Sequence, residues 1–324
     1  MPSPTKIAAL VENAMGRIWP LPLLLLLLQL TPASLVAQSG PPSEIAKVHS
    51  EQFQTRIAVR ARELINHPRL RGLSAQQREE RVEFVVGNML FVATHELGHA
   101  AISELDLPVL GPEEDTADYF STLTALNVLA TEFSQRALVG AAQAWFLMAQ
   151  RDKKYGAMPE YYGRHDLSEQ RAYRIICLMV GSDLLRFKAL ADQMKLPETR
   201  RTSCSWDFES ATRSWQRVLA PHYRKPEQPK THIQVIYGAA EGELGILAQT
   251  FREIRFLEAL AEYAADRYVW PAPFLMEMRT CGGSGARWTI PTRKLHLCYE
   301  LADEFAQLNR DFGQASVLRR ARQR

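Results

Sequence analysis

Residues 91–123, FVATHELGHAAISELDLPVLGPEEDTADYFSTL, carry two charged patterns, each spaced for one face of a helix. His95, Glu96 and His99 form H-E-x-x-H; Glu114 and Asp118 form E-x-x-x-D. On a helix His95 and His99 lie one turn apart on the same face, so both imidazoles can reach a single zinc ion at about 2.0–2.1 Å. Glu96 then stands beside the remaining coordination position. A carboxylate there can take a proton from an attacking water and later return it to a leaving amine.

A hydrolytic zinc site normally takes three protein ligands. A longer motif with Gly at 102 and His at 105 would supply a third histidine, but this chain has Ile102 and Leu105. Glu114 is the better candidate. Residues 106–111 end the first helix and turn the chain, and Pro112 with Glu113, Glu114 and Asp115 suits the start of a second. Glu114 and Asp118 share a face of that helix, so Glu114 can ligate the metal while Asp118 accepts the second N–H of a ligand histidine. Glu113 and Asp115 read as charge favoured at a helix N-terminus. The first helix has its own support: Val82, Val85, Val86, Met89, Leu90, Ala93 and Leu97 recur at helical spacing, and Ser74 with Gln77 offers a capping box.

The run HPRLRGLSAQQREERVEFVVGNMLFVATHELGHAAISELDLPVLGPEEDTAD, residues 67–118, resembles a bacterial family of secreted metallopeptidases catalogued as a domain of unknown function. HDLSEQRAYRIICLMVGSD (165–183) and CGGSGARWTIPTRKLHLCYEL (281–301) resemble it too; at Ser284 and Gly285 the family would have an asparagine before the alanine. The resemblance implies a zinc-peptidase-like site of the glutamate-ligand type using His95, Glu96, His99 and Glu114.

The first 37 residues read as a signal peptide. Lys6 and Arg17 precede an apolar run from Ile18 to Leu30, and small residues follow at Ala33, Ser34 and Ala37. That run is too short for a comfortable membrane span. A secreted or periplasmic location is therefore expected, with an uncleaved N-terminal anchor as the alternative and no membrane insertion beyond the leader. The net charge is +3 with interspersed acids and bases, which gives no footprint for nucleic acid. The four cysteines, Cys177, Cys204, Cys281 and Cys298, all follow the leader and suggest disulfides, with three pairings possible. Pairing nearest neighbours would close two modest loops, each worth about 3 kcal/mol. No C-x-x-C spacing supports a four-cysteine zinc site.

Residues 43–220 read as a helical metal-site domain. It includes an amphipathic helix at 43–66, another at 133–151 with a stripe of Leu138, Ala142, Trp145, Phe146 and Ala149, and a third entered at His165. A histidine or tyrosine remote from the motif can stabilise the oxyanion formed during acyl transfer, and His165, with Tyr162 behind it, is the candidate. After PHYRKPEQP at 221–229 a C-terminal α/β part, 230–312, is expected. Strands are read at 231–237, 245–250, 274–280, 286–290 and 294–298, the last two as a hairpin, with helices at 251–268 and 300–309. The expected class is α+β, mostly helical, with a zincin-like helix pair and a small, mainly antiparallel sheet that follows it. The expected activity is hydrolysis of peptide or protein substrates with one zinc ion. A zinc amidase acting on cell-wall amides and a non-catalytic zinc protein are the alternatives.

Overall fold

A computed structural model describes residues 44–129 and 131–313; the expected leader lies outside them. The described residues form one compact unit. In chain order the elements are α1 (Glu44–Glu63), α2 (Ala75–Glu104), α3 (Glu113–Leu123), α4 (Glu132–Lys154), α5 (Ser168–Ser182), α6 (Lys188–Gln193), α7 (Glu198–Leu219), β1 (Ile233–Tyr237), α8 (Gly242–Glu253), α9 (Phe256–Arg267), β2 (Phe274–Arg279), β3 (Ala286–Thr289), β4 (Lys294–Cys298) and α10 (Tyr299–Phe312). The fold is α+β and mostly helical. Among the described residues no helix is long and apolar enough to cross a membrane.

The thirty-residue α2 is the central rod. Ser74 and Gln77 close the predicted capping box, satisfying N–H groups that the first turn leaves without partners. From Val82 onward α2 is buried on almost every side, with Met89, Ala93, Leu97, Ala100 and Ala101 fully enclosed. A helix with apolar residues around most of its circumference must be wrapped by other elements. Here α1, α3, α4, α10 and the β3–β4 pair provide the wrapping. A second apolar cluster joins α4, α5, α6 and α7 around Leu138, Ile175, Ile176, Met179, Phe187 and Leu190. Cys177 and Cys204 are bonded there and Cys281 to Cys298 beside the sheet, so the nearest-neighbour pairing is the one formed. At Gly181 a Cβ would lie 2.1 Å from the Cys204 carbonyl oxygen, so α5 and α7 approach as closely as they do only because that position has no side chain.

Three readings of the C-terminal part are corrected. The sheet is mixed, in the order β1-β2-β4-β3: β1–β2 and β2–β4 are parallel, and only β3–β4 is antiparallel. Parallel partners need a crossover, and α8 with α9 supplies the one between β1 and β2. The local β3–β4 hairpin was legible because its strands are adjacent in sequence; the insertion of β4 between β3 and β2 was not. Residues 245–250, read as a strand, lie in α8, because Leu244, Leu247, Ala248 and Phe251 follow a helical period and face the core. The helix expected at 251–268 is broken at Arg255, whose φ of 57° ends α8 and starts α9.

Candidate metal centre

α2 and α3 cross tightly enough for their acidic and imidazole side chains to meet. Gly98, within the H-E-x-x-H motif, makes this possible: a Cβ there would lie 3.3 Å from the Ala117 Cα and from the Phe120 side chain. Thr94 and Ser121 fill the same crossing with a hydroxyl pair at 2.6 Å, and Ser121 Oγ donates to the Phe91 carbonyl. The chain turns between the helices through Asp106, which takes a φ of 51°.

The result is a triangle of donor atoms. His95 Nε2 and His99 Nε2 are 3.2 Å apart, and each is 3.2 Å from Glu114 Oε2. The orientation of both rings follows from their other nitrogens. His95 Nδ1 is 2.8 Å from Asp118 Oδ1, and His99 Nδ1 is 2.6 Å from Glu113 Oε1. With each Nδ1–H donated to a carboxylate, both Nε2 atoms turn lone pairs toward the same point as the Glu114 oxygen. A tetrahedral cation with bonds of about 2.0–2.1 Å spaces its donors by about 3.3 Å, so this donor set fits one.

The electrostatics agree. Burial opposes the charged form of His95, but hydrogen bonds to Asp118 and Glu114 and the nearby Glu96 outweigh it and raise its pKa to about 9. His99 is raised in the same way by Glu114 and Glu113, against burial and against the neighbouring His95. Burial disfavours the Asp118 carboxylate, yet its bonds to His95 and Arg171 hold it down at about 2. Glu114 is held well below the usual carboxylate range by His165, His95 and His99, again against its burial. The pocket therefore attracts positive charge, which a proton or a metal cation can supply.

Three residues of this centre were not singled out from the sequence. Glu113, read as helix-terminal charge, is the acceptor for His99. Arg171, read only as part of a helix, sits on α5 and makes a two-pronged pair with Asp118, Nε to Oδ2 at 2.8 Å and Nη2 to Oδ1 at 2.7 Å, while its guanidinium lies 3.7 Å over the Trp145 ring. Trp145 thus belongs to this support as well as to the stripe on α4. Trp288 on β3 is the third: its backbone N–H donates to Glu96 Oε2 at 2.8 Å, and its indole N–H donates to Ser103 at the end of α2. A buried acidic pair requires a cation, so Arg171 and Arg174, three apart on one helix, were a signal available in the sequence; nothing local links Trp288 to Glu96. The expected His165 lies beside the triangle, its Nε2 2.9 Å from Glu114 Oε2, whereas Tyr162 points into solvent at 88% exposure.

Residues 57–219 match the model of a family described as putative metallopeptidase. That span is about half of the chain and contains every donor of the triangle. The chain belongs to this metallopeptidase family. A metal is implied by the family, and His95, Glu114 and His165, whose donor atoms all lie within 4.8 Å of one another, form a group that could hold one. No curated protein and no solved structure matches the chain. The match ends at the close of α7, so the sheet that supplies the Trp288 amide lies beyond the part that defines the metallopeptidase family.

Proposed function

We propose that this chain is a zinc-dependent peptidase in which His95, His99 and Glu114 hold the metal and Glu96 is the general base. The observation that carries the reading is the triangle of three donor atoms with 3.2 Å edges, their orientation enforced by Asp118 and Glu113. Zinc, when bound, would act as a Lewis acid toward water and the scissile carbonyl. The protein's own contribution is positional. Glu96, one residue after a ligand on a rigid helix, is held by the Trp288 N–H through one oxygen, leaving its other oxygen to accept the proton of an attacking water and pass it to the departing amine. His165 is the side chain placed to donate to the oxyanion that forms.

β3 ends the sheet, and the Trp288 N–H points away from β4 toward the centre. Residues alternate along a strand, so Ala286 presents its backbone the same way. An extended peptide laid along this edge would pair with the Ala286 backbone and lie beside Glu96, a mode of binding that reads main chain rather than sequence. Two disulfides in a chain of this size suit an oxidising compartment, in keeping with a secreted or periplasmic enzyme.

The test is made on the chain purified without residues 1–37. Elemental analysis should find one equivalent of zinc, sharply reduced in His95→Ala and Glu114→Ala. Glu96→Gln should keep the zinc and lose cleavage of a mixed peptide library by at least about 100-fold. Absence of zinc in the parent after reconstitution would refute the reading. Equal cleavage by parent and Glu96→Gln would remove Glu96 from the mechanism.

A further inference from the structure

His165 belongs to a non-helical segment, residues 155–167, between α4 and α5. Its Nε2 faces Glu114 Oε2, the oxygen that His95 and His99 also face, and the donor atoms of His95, Glu114 and His165 lie within 4.8 Å of one another. The adjacent Arg164 reaches the other Glu114 oxygen at 3.6 Å. The segment is tied down at its C-terminal end, where Arg174 on α5 pairs with Asp166 and, at 2.8 Å, with Asp115 on α3. Upstream of that tie it packs little. Met158 and Tyr161 are more than four-fifths exposed, the His165 side chain is half exposed, and Gly156 takes a φ of 70° where the segment leaves α4.

The donors are thus unequal. His95 and His99 are largely buried on α2, each with its Nδ1 on a carboxylate, and Glu114 is largely buried on α3, whereas His165 hangs from an exposed loop that can move without disturbing the core. A zinc site with four protein donors is closed, whereas hydrolysis needs one position free. We propose that His165 is an exchangeable fourth ligand, completing the shell with His95, His99 and Glu114 in the resting protein and withdrawing when substrate covers the 155–167 segment. This rests on the zinc-peptidase reading above and adds a resting state to it. The imidazole that occupies the fourth position at rest is the one adjacent to the oxyanion once that position is given up. Met158, Tyr161 and Tyr162, each exposed on the same segment, are the apolar side chains that a bound peptide would cover.

The experiment uses the chain from residue 38 onward loaded with zinc, and a cobalt(II)-substituted sample for optical titration. X-ray absorption should count three imidazoles at zinc in the parent and two in both His165→Ala and His165→Gln. Zinc affinity, measured by competition with a chromophoric chelator, should fall at least about tenfold in both variants. Acetohydroxamate, a small chelating probe, should change the cobalt spectrum of the parent and lower its imidazole count from three to two. Two imidazoles in parent and variants alike would overturn the proposal while leaving the three-ligand site intact. A parent that keeps three imidazoles at saturating acetohydroxamate, or gives no optical response to it, would make His165 a permanent ligand and overturn the exchange. A parent that binds no metal would overturn both readings.

Discussion

The pair formed by Asp118 and Arg171 allows stability and metal binding to be separated. Asp118 is buried and accepts three hydrogen bonds, one from His95 and two from Arg171, which is itself buried. Asp118→Leu strands the Arg171 guanidinium without its anion, and breaking a buried pair from one side costs about 3–5 kcal/mol. Stacking of Arg171 on Trp145 persists, which argues for the lower end, about 3 kcal/mol. In Asp118→Leu/Arg171→Met both charges are gone, and replacement of a buried pair by apolar side chains of similar volume is often near neutral. The double variant should therefore recover most of the lost stability. Metal binding should behave differently: both variants deprive His95 Nδ1 of its acceptor, and loss of such a partner weakens affinity by about 10–100-fold, or about 1.4–2.7 kcal/mol. Urea unfolding of the metal-free forms and chelator competition for zinc measure the two quantities on the same samples. Parent-like zinc affinity in the double variant would refute the role given to Asp118. A double variant no more stable than the single would show that the stranded cation is not the source of the cost.

Three further outcomes follow from the geometry. Glu113→Gln should weaken zinc binding by up to about tenfold, less than Asp118→Leu, because Glu113 is partly exposed and water can replace it at His99; a larger loss than that of Asp118→Leu would reverse the ranking of the two supports. Protonated His95 is favoured by the fold, its pKa raised from 6.5 to about 9, so the stability it contributes to the metal-free protein is fully present below pH 6.5 and is lost as pH rises through 9. Zinc must displace that proton, so its apparent affinity should climb between pH 6.5 and 9, and a flat profile over that window in isothermal titration would contradict the assignment. Replacing Cys281 and Cys298 by serine should lower unfolding free energy by about 3 kcal/mol, and Cys177 with Cys204 by slightly more because the closed loop is longer, 27 residues against 17; thermal denaturation under non-reducing conditions checks the order.

Much of the centre was legible in the sequence because it is built from short-range patterns. His95 and His99 at one helical turn, Glu114 and Asp118 at another, and the capped apolar run of α2 each need only the period of a helix to be recognised. Nearest-neighbour cysteine pairing is equally local. Tertiary structure decided which charges answer which. Glu113 and Glu114 are adjacent and chemically alike, and only the crossing of α2 over α3 at Gly98 turns one toward His99 Nδ1 and the other toward both Nε2 atoms. Arg171 reaches Asp118 across 53 residues and the Trp288 amide reaches Glu96 across 192, contacts created by packing and sheet order that no periodicity encodes. The same holds for the sheet. A hairpin closes over a few residues and announces itself in sequence, whereas parallel partners are not adjacent in the chain, so nothing local fixes β4 between β2 and β3.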